Sequence, residues 1–485
     1  MKKAQESNHA QNQAFKAGAL YFVAEMITRG CSFLATPVFT RLLPAEVFAD
    51  AKVFESWVYL LAPVLCVCVY QCLPRAKFDF EDYRGFLSGI LSLIALLGLG
   101  AVLLCLVFQT AIINVLHFEL PLILLMLVYS VGYNGIQSIQ MYDRQILNYR
   151  RNILMTFLGV LPGLLISVVL VCVFRGKVSN QVLLNLRVVG FFLPIALIGL
   201  AFLIFFCVTA GKRCLDLKVW RYSVRYSFPL MLTMFTAQVF FQSGSIFVRN
   251  IIGSTEAAIV LVAMTVGYIM DILIHALDNA WKPWMYECLH QGKTQKLQKM
   301  WLLLLTLIAG MALGGTLFAP ELVMIIGGND YTSAIPLIYP ILCSAVANFV
   351  MITFVSLEQY YKRTRISGIA SVLAIAINIV LNYVCVVHFG YLSVVYVLFA
   401  SYVLGSMIHY VFLYRRGEAK VLRPWLSMAI VLGTFVCSTV LPLTYTWSFL
   451  QRFLLAAVVI LLLVCIFFKK GAELLKNWRE NQGKQ

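Results

Sequence analysis

Long apolar segments recur along the whole chain and alternate with short polar stretches. A helix needs about 20 apolar residues to cross the roughly 30 Å hydrocarbon core of a bilayer. Measured against that length, the pattern predicts an all-α polytopic membrane protein with about fourteen transmembrane helices. The predicted spans are 17–38, 53–73, 87–108, 117–138, 154–174, 188–210, 228–250, 256–277, 300–319, 332–356, 367–388, 391–414, 424–444 and 449–468.

The basic residues predict the orientation of these spans. Of the 38 Lys and Arg residues, 30 lie in segments on the side of the N terminus, seven lie in the opposite segments, and Arg29 lies within a span. Because cytoplasmic loops carry an excess of Lys and Arg, both termini are predicted to be cytoplasmic. The regular alternation also supports the count of fourteen. The one exception is the loop that carries Arg175, Lys177 and Arg187.

Composition excludes several classes of protein. Apolar residues make up 61% of the chain and charged residues 12%, against about 45–50% and 25% in soluble domains. The net charge of +17 comes from short basic runs between apolar segments, so the lipid bilayer, and not nucleic acid, is the predicted partner. The thirteen cysteines are scattered and lack metal-ligand spacing, which predicts packing roles and no metal site.

Short loops leave no room for a catalytic domain, so the chain is not predicted to be an enzyme. Gly292-Lys293-Thr294 matches the end of a phosphate-binding loop, but Glu287 stands where that motif needs a glycine. The chain divides into a cytoplasmic N-terminal segment, a lobe with helices 1 to 6, a linker, a lobe with helices 7 to 14 and a basic cytoplasmic tail. Their ranges are 1–16, 17–210, 211–227, 228–468 and 469–485.

Internal similarity favours a duplicated architecture. Phe39-x-Arg41 closes the first predicted helix and Phe247-x-Arg249 closes the seventh, and a Glu follows each of them. Membrane transporters are commonly built from such repeats.

Ionisable residues inside the spans are candidate functional residues, because charge in a membrane is costly unless it faces a cavity or a partner. Glu25 and Arg29 stand four residues apart in the first span and can form an intrahelical pair. Arg29 lies about 18 Å along the span, near the bilayer centre. The pair is therefore either a structural ion pair or part of a cavity wall.

Two neighbouring spans carry polar stripes that suggest a shared aqueous cavity. The seventh has Gln238, Gln242, Ser245 and Arg249, and the eighth has Asp271, His275, Asp278 and Lys282. The alternative for Arg249 and Lys282 is snorkelling from a helix end to the headgroups, and for His275 a role as a core histidine. In the eleventh span, Asn378 and Asn382 are predicted to join helices by hydrogen bonds.

Several short motifs occur in a consistent order. They are Pro37-x-x-Thr40-Arg41-Leu42-Leu43-x-x-Glu46, Asn279-Ala280-Trp281-Lys282-Pro283, Gly328-Asn329-Asp330-Tyr331, Lys362-Arg363-Thr364-Arg365, Asn378-Ile379-Val380-Leu381-Asn382 and His388-Phe389-Gly390. Through them the chain resembles the polysaccharide (O-antigen-type) flippases of the multidrug/oligosaccharidyl-lipid/polysaccharide superfamily. Three positions depart from that family. Gly244-Ser245 stands where Asp-Arg is frequent, Ala258-Ile259-Val260 where Gly-x-Tyr is frequent, and Ser393-Val394-Val395 where Gly-Ala-Ala is usual.

The resemblance implies two pseudo-repeated lobes of six or seven helices around a central cavity, as in multidrug exporters of the same superfamily. The implied substrate is an undecaprenyl-pyrophosphate-linked oligosaccharide, moved across the bacterial inner membrane for surface polysaccharide biosynthesis. A polysaccharide polymerase and a chain-length regulator are the further partners that it implies.

Roles for the candidate residues follow from that substrate. The cations Arg29, Arg249 and Lys282 are expected to bind pyrophosphate. No cofactor is expected, and H⁺ or Na⁺ coupling is an option. The remaining candidate residues are expected to line the cavity: Glu25, Asp271, His275, Asp278, Gln238 and Gln242. The alternatives are a cation-coupled multidrug exporter, against which Arg29 argues by repulsion, and a membrane-embedded polymerase or acyltransferase.

Overall fold

The computed structural model describes residues 2–210, 215–415, 417–418 and 422–458, without the side chains of residues 2–19, 22, 25, 210, 364 and 365. Within these ranges all regular elements are helices. The helices of the first half are α1 (Lys2–Leu42), α2 (Ala45–Leu65), α3 (Leu73–Asp79), α4 (Tyr83–Val107), α5 (Gln109–Leu116), α6 (Leu120–Gln145), α7 (Tyr149–Leu158), α8 (Leu161–Phe174), α9 (Asn180–Ala210) and α10 (Leu217–Ile251).

The second half continues in the same way. Its helices are α11 (Ser254–His290), α12 (Thr294–Leu317), α13 (Ala319–Ile326), α14 (Ile335–Tyr360), α15 (Thr364–Phe389), α16 (Ser393–Tyr414), α17 (Pro424–Val440) and α18 (Phe449–Val458). The chain forms two compact units, unit 1 (Met1–Gln242) and unit 2 (Ser243–Gln485). The sequence puts a linker at 211–227, but residues from Leu217 onward already belong to α10, and the units divide inside that helix.

The protein is a multi-pass membrane protein. Among the described residues, eleven helices or continuous helix pairs are long and apolar enough to cross a bilayer, and they coincide with predicted spans three to thirteen. The first predicted span falls on α1. The fourteenth begins with α18, and the rest of it lies outside the described residues. The total of fourteen therefore stays a prediction.

The second predicted span is broken instead of continuous. Its two halves, Ala45–Leu65 and Val69–Asp79, meet at a bend of 50°. Val67 and Cys68 at the break have φ of 51° and 45°, a left-handed conformation that is uncommon outside glycine. Asn134 Nδ2 of α6 donates to the Ala62 carbonyl at 2.9 Å. This bond gives a partner to a carbonyl in the last turn of α2, where helical partners run out.

Several helices extend beyond the predicted spans, and three of these extensions change where residues are placed. α2 begins at Ala45 and α9 at Asn180, so Lys52 and Arg187 are helical residues, whereas the sequence predicts both of them in loops. α11 continues to His290, thirteen residues past the predicted end of the eighth span. The motif Asn279-Ala280-Trp281-Lys282-Pro283 therefore lies inside a helix, and not after one.

Close helix contacts form the core of each unit. In unit 1, α6 and α9 approach so closely that a Cβ on Gly199 would lie 2.4 Å from the carbonyl oxygen of Gly132. Such glycine contacts let two helix backbones pack directly in a membrane. In unit 2, α14 is the most enclosed span and packs against α11, α12, α16 and α17.

Candidate functional site

The predicted cation of the first span lies in α1. Arg29 is half-buried there. The backbone of Glu25 belongs to the same helix, but its side chain lies outside the described residues, so the predicted pairing of Glu25 with Arg29 stays a prediction.

The polar stripe of the seventh span lies on α10 and is divided between the two units. Gln238 and Gln242 are half-buried residues of unit 1, whereas Ser245 and Arg249 belong to unit 2. Arg249 lies in the last turn of the helix, and its Nη1 donates to Asn250 Oδ1 at 3.3 Å. That position agrees with either a cavity role or snorkelling.

Unit 1 contains a charged cluster that the sequence analysis did not identify. We call Lys52, Glu55, Ser56, Tyr59 and Gln242 the α2 cluster. Lys52 Nζ lies 3.0 Å from Glu55 Oε2, and the Tyr59 hydroxyl donates to Glu55 Oε1 at 3.1 Å. Ser56 Oγ donates to Gln242 Oε1 at 2.8 Å, which joins α2 to α10. The i, i+3, i+4, i+7 spacing of the α2 residues could have revealed this face.

Arg187 of α9 is a buried cation that interacts with Glu55 of the α2 cluster. It is 6% exposed, and its guanidinium lies 3.9 Å from the ring centre of Phe39 and 5.2 Å from that of Phe191. Its Nη1 donates to Ser167 Oγ at 3.1 Å, and it interacts electrostatically with Glu55. The sequence predicts a loop position for Arg187, because the predicted span begins one residue after it.

The polar stripe of the eighth span is present on α11. His275 Nε2 lies 3.5 Å from Asp271 Oδ2, and the two side chains are 50% and 29% exposed. Lys282 interacts with Asp278 and donates from Nζ to Gln359 Oε1 of α14 at 2.6 Å. Lys282 thus lies eight residues before the end of α11 and has a hydrogen-bond partner on α14, and its role as a cavity cation or a snorkelling residue stays a prediction.

A second unpredicted pair lies in unit 2. Glu358 of α14 and His409 of α16 are 0% and 1% exposed, and His409 Nδ1 lies 3.0 Å from both carboxylate oxygens. Glu358 falls two residues beyond the predicted tenth span, and 51 residues separate it from its partner. Among the described residues, no group of three His, Cys, Asp or Glu side chains could hold a metal ion.

The predicted helix-joining role of Asn378 and Asn382 is confirmed. Asn378 accepts from Ser243 of α10 at 2.9 Å and donates to Ser401 of α16 at 2.9 Å. Asn382 Nδ2 donates to Ser243 Oγ at 3.1 Å. These buried amides tie three helices of unit 2 together.

The contact between α10 and α16 explains one departure from the family pattern. A Cβ on Gly244 would lie 2.0 Å from Val394 Cγ1. Val394 therefore occupies the space that a side chain at position 244 would need. The departures at positions 244 and 394 are complementary to each other.

Comparisons with known proteins agree on the architecture. A family model described as "Polysaccharide biosynthesis protein" matches residues 15–289. No curated protein matches the sequence. The solved structure of the lipid II flippase MurJ in an inward closed conformation matches with a TM-score of 0.64 and 13% identity, covering 93% of this chain and 99% of that one.

Multidrug transporters show a similar likeness. The inward-facing structure of a multidrug resistance MATE family transporter of the MOP superfamily matches with a TM-score of 0.62 and 14% identity, covering 81% of this chain and 98% of that one. Its outward-facing counterpart matches with a TM-score of 0.55, 15% identity and coverages of 84% and 96%. At these identities the likeness shows a shared fold, that of the MOP superfamily transporters.

Proposed function

Because the chain belongs to the polysaccharide biosynthesis protein family, we propose that it is a flippase for lipid-linked oligosaccharides. It moves undecaprenyl-pyrophosphate-linked repeat units from the cytoplasmic to the periplasmic leaflet of the bacterial inner membrane by alternating access. The family match over residues 15–289 carries this proposal. The fold shared with a protein named as a lipid II flippase supports it.

The proposed architecture has fourteen spans in two pseudo-repeated lobes around a central cavity, with both termini in the cytoplasm. Eleven described spans, the bent pair in unit 1, and the positions of α1 and α18 support this count. The unequal distribution of Lys and Arg between alternate segments supports the orientation.

Pyrophosphate recognition rests on cations in a water-poor cavity, where charge attraction is stronger than in bulk water. We assign this role to Arg29, with Arg249 and Lys282 as further candidates. Glu25, Asp271, His275, Asp278, Gln238 and Gln242 line the cavity in this proposal, and their carboxylates are the candidates for H⁺ or Na⁺ coupling. Flipping breaks no covalent bond, so the protein acts as a transporter and not as an enzyme. A polysaccharide polymerase and a chain-length regulator act next to it.

The decisive test is Arg29→Ala in cells that depend on this gene for surface polysaccharide. Loss of a charge-assisted phosphate contact lowers export by about 10–100-fold while the protein level stays normal. Arg75→Ala is the control, because Arg75 is an exposed arginine of α3 that pairs with Asp79 of the same helix and has no role in this proposal. Normal export in the Arg29→Ala cells would remove Arg29 from the mechanism.

A cation-coupled multidrug exporter is the second candidate, and the likeness to MATE transporters favours it. Deleting the gene distinguishes the two functions. Loss of a multidrug exporter makes the cells drug-sensitive, whereas loss of a flippase leaves the cells without surface polysaccharide. Coupling is tested separately in proteoliposomes. Transport that ignores both an imposed pH gradient and an imposed Na⁺ gradient would rule out ion coupling.

A further inference from the structure

We propose that the α2 cluster is a sugar-binding subsite that holds the glycan of the lipid-linked substrate, apart from the cations that hold its pyrophosphate. This inference rests on the flippase function proposed above. It adds a second recognition element, carried by unit 1 alone.

The α2 cluster carries two charges in a membrane span. Lys52 and Glu55 lie in α2, the first half of the bent helix pair that is apolar enough to cross a bilayer. Their side chains remain 23% and 18% exposed. Charged groups at such positions in a span normally face water or a partner, because exposure to lipid is costly. The α2 cluster therefore borders a space that water or a polar ligand occupies.

The α2 cluster combines hydrogen-bond donors with acceptors. The ammonium of Lys52 donates, the carboxylate of Glu55 accepts, and the hydroxyl of Tyr59 does both. Sugar hydroxyls also donate and accept, so they complement this set. Pyrophosphate oxygens only accept, and the carboxylate of Glu55 repels them. The cluster thus fits a sugar better than it fits the phosphates of the same lipid.

The α2 cluster also has an aromatic surface. Tyr59 is 38% exposed while its hydroxyl remains bound to Glu55. A tyrosine ring combines an apolar face with a polar tip. The ring can contact the C–H face of a pyranose while the neighbouring carboxylate receives its hydroxyls.

The cluster is also held in place before any ligand arrives. Lys52 and Tyr59 bind the two oxygens of Glu55 at 3.0 and 3.1 Å, and Gln242 is fixed by Ser56. Arg187, buried against Phe39, is a positioning residue that attracts Glu55 from the protein side. Such preorganisation lowers the entropy cost of binding.

The experiment compares two lipids on the full-length protein in nanodiscs. One probe is the lipid-linked oligosaccharide extracted from cells that carry this gene, and the other is sugar-free undecaprenyl pyrophosphate. We expect Glu55→Gln to weaken binding of the glycan-bearing lipid by about 10-fold, and Tyr59→Phe to weaken it by about 3-fold. Binding of the sugar-free lipid changes less than about twofold in both variants.

Two controls separate this inference from the flippase proposal. Arg29→Ala weakens binding of both lipids. Asp79→Asn changes neither, although Asp79 also pairs with an arginine and accepts from a tyrosine, Arg75 and Tyr222. A wild-type protein that binds neither lipid contradicts the flippase function itself.

Equal losses for the two lipids in Glu55→Gln, or no loss for either, overturn the sugar subsite. If Glu55→Gln lowers the unfolding temperature enough to prevent the measurement, Tyr59→Phe decides the matter, because it keeps the ring and removes one hydroxyl. An unchanged ratio of the two affinities in Tyr59→Phe then overturns the subsite.

Discussion

Each unit of the molecule contains a carboxylate paired inside a membrane-spanning helix, but the two pairs differ in what remains open to solvent. In unit 1, Glu55 pairs with Lys52 of its own helix, and both side chains keep about a fifth of their surface exposed (18% and 23%). In unit 2, Glu358 pairs with His409 of another helix, and both are fully enclosed. The chemistry of the two pairs is similar, and their geometry is not.

The difference follows from how each pair is built. A pair three residues apart on one helix leaves the outer side of that helix uncovered. A pair between two helices lies in their interface, where neighbouring side chains close over it. Glu358 also has its backbone carbonyl bound by the amide of Arg363 at 2.7 Å. The intrahelical pair can therefore meet a ligand, whereas the interhelical pair contributes to the packing of unit 2.

The largest effect is expected for Glu358→Ala. Removing one partner leaves the other polar group buried and unpaired, which costs about 3–5 kcal/mol in the free energy of unfolding. Chemical denaturation in detergent measures this loss. The double variant Glu358→Leu with His409→Leu is the control, because replacing both partners with apolar groups recovers most of the stability. A stable Glu358→Ala protein would contradict the assignment of a structural pair.

An intermediate effect is expected for Gly244→Ala. The new Cβ would collide with the side chain of Val394, and overpacking of this kind costs about 1–3 kcal/mol. Val394→Ala in the same chain should restore the unfolding temperature.

A glycine of unit 1 gives a comparison in which no second substitution can restore the unfolding temperature. Gly199→Ala collides there with the backbone oxygen of Gly132, so no side-chain truncation can relieve it. If Val394→Ala fails to rescue Gly244→Ala, the two family departures are not complementary.

The smallest effect is expected for the stability contribution of the Lys52 and Glu55 pair. A double-mutant cycle with Lys52→Met and Glu55→Gln should give a coupling energy of about 0.2–1 kcal/mol, the range of partly exposed pairs. Thermal unfolding of the four proteins measures it. A coupling of about 3 kcal/mol or more would make this pair equivalent to Glu358 and His409, and the contrast between the two pairs would disappear.

The apolar pattern was informative wherever a single helix carried the signal. It predicted the eleven spans found among the described residues, and it placed Asn378 and Asn382 as residues that join helices. It failed at helix boundaries. The first charged residue ended an apolar window, so Lys52 and Arg187 were assigned to loops although both lie inside helices.

Arg187 shows why contacts between charged residues of different helices were not predicted. Its guanidinium lies over Phe39, which is almost 150 residues earlier in the chain, and beside Glu55 of a third helix. Nothing in the sequence around Arg187 signals that partnership. Glu358 and His409 escaped for the same reason, because each is an isolated polar residue until α14 and α16 meet.

The sequence by itself determined the membrane class, most of the spans, the family and the presence of a cation in the first helix. These features depend on composition and on periodicity within single helices. Only the tertiary structure decided which charges are enclosed and which remain open, as in the α2 cluster and the Glu358 and His409 pair. That distinction depends on side chains from different helices, and their contacts follow from helix packing and not from local sequence.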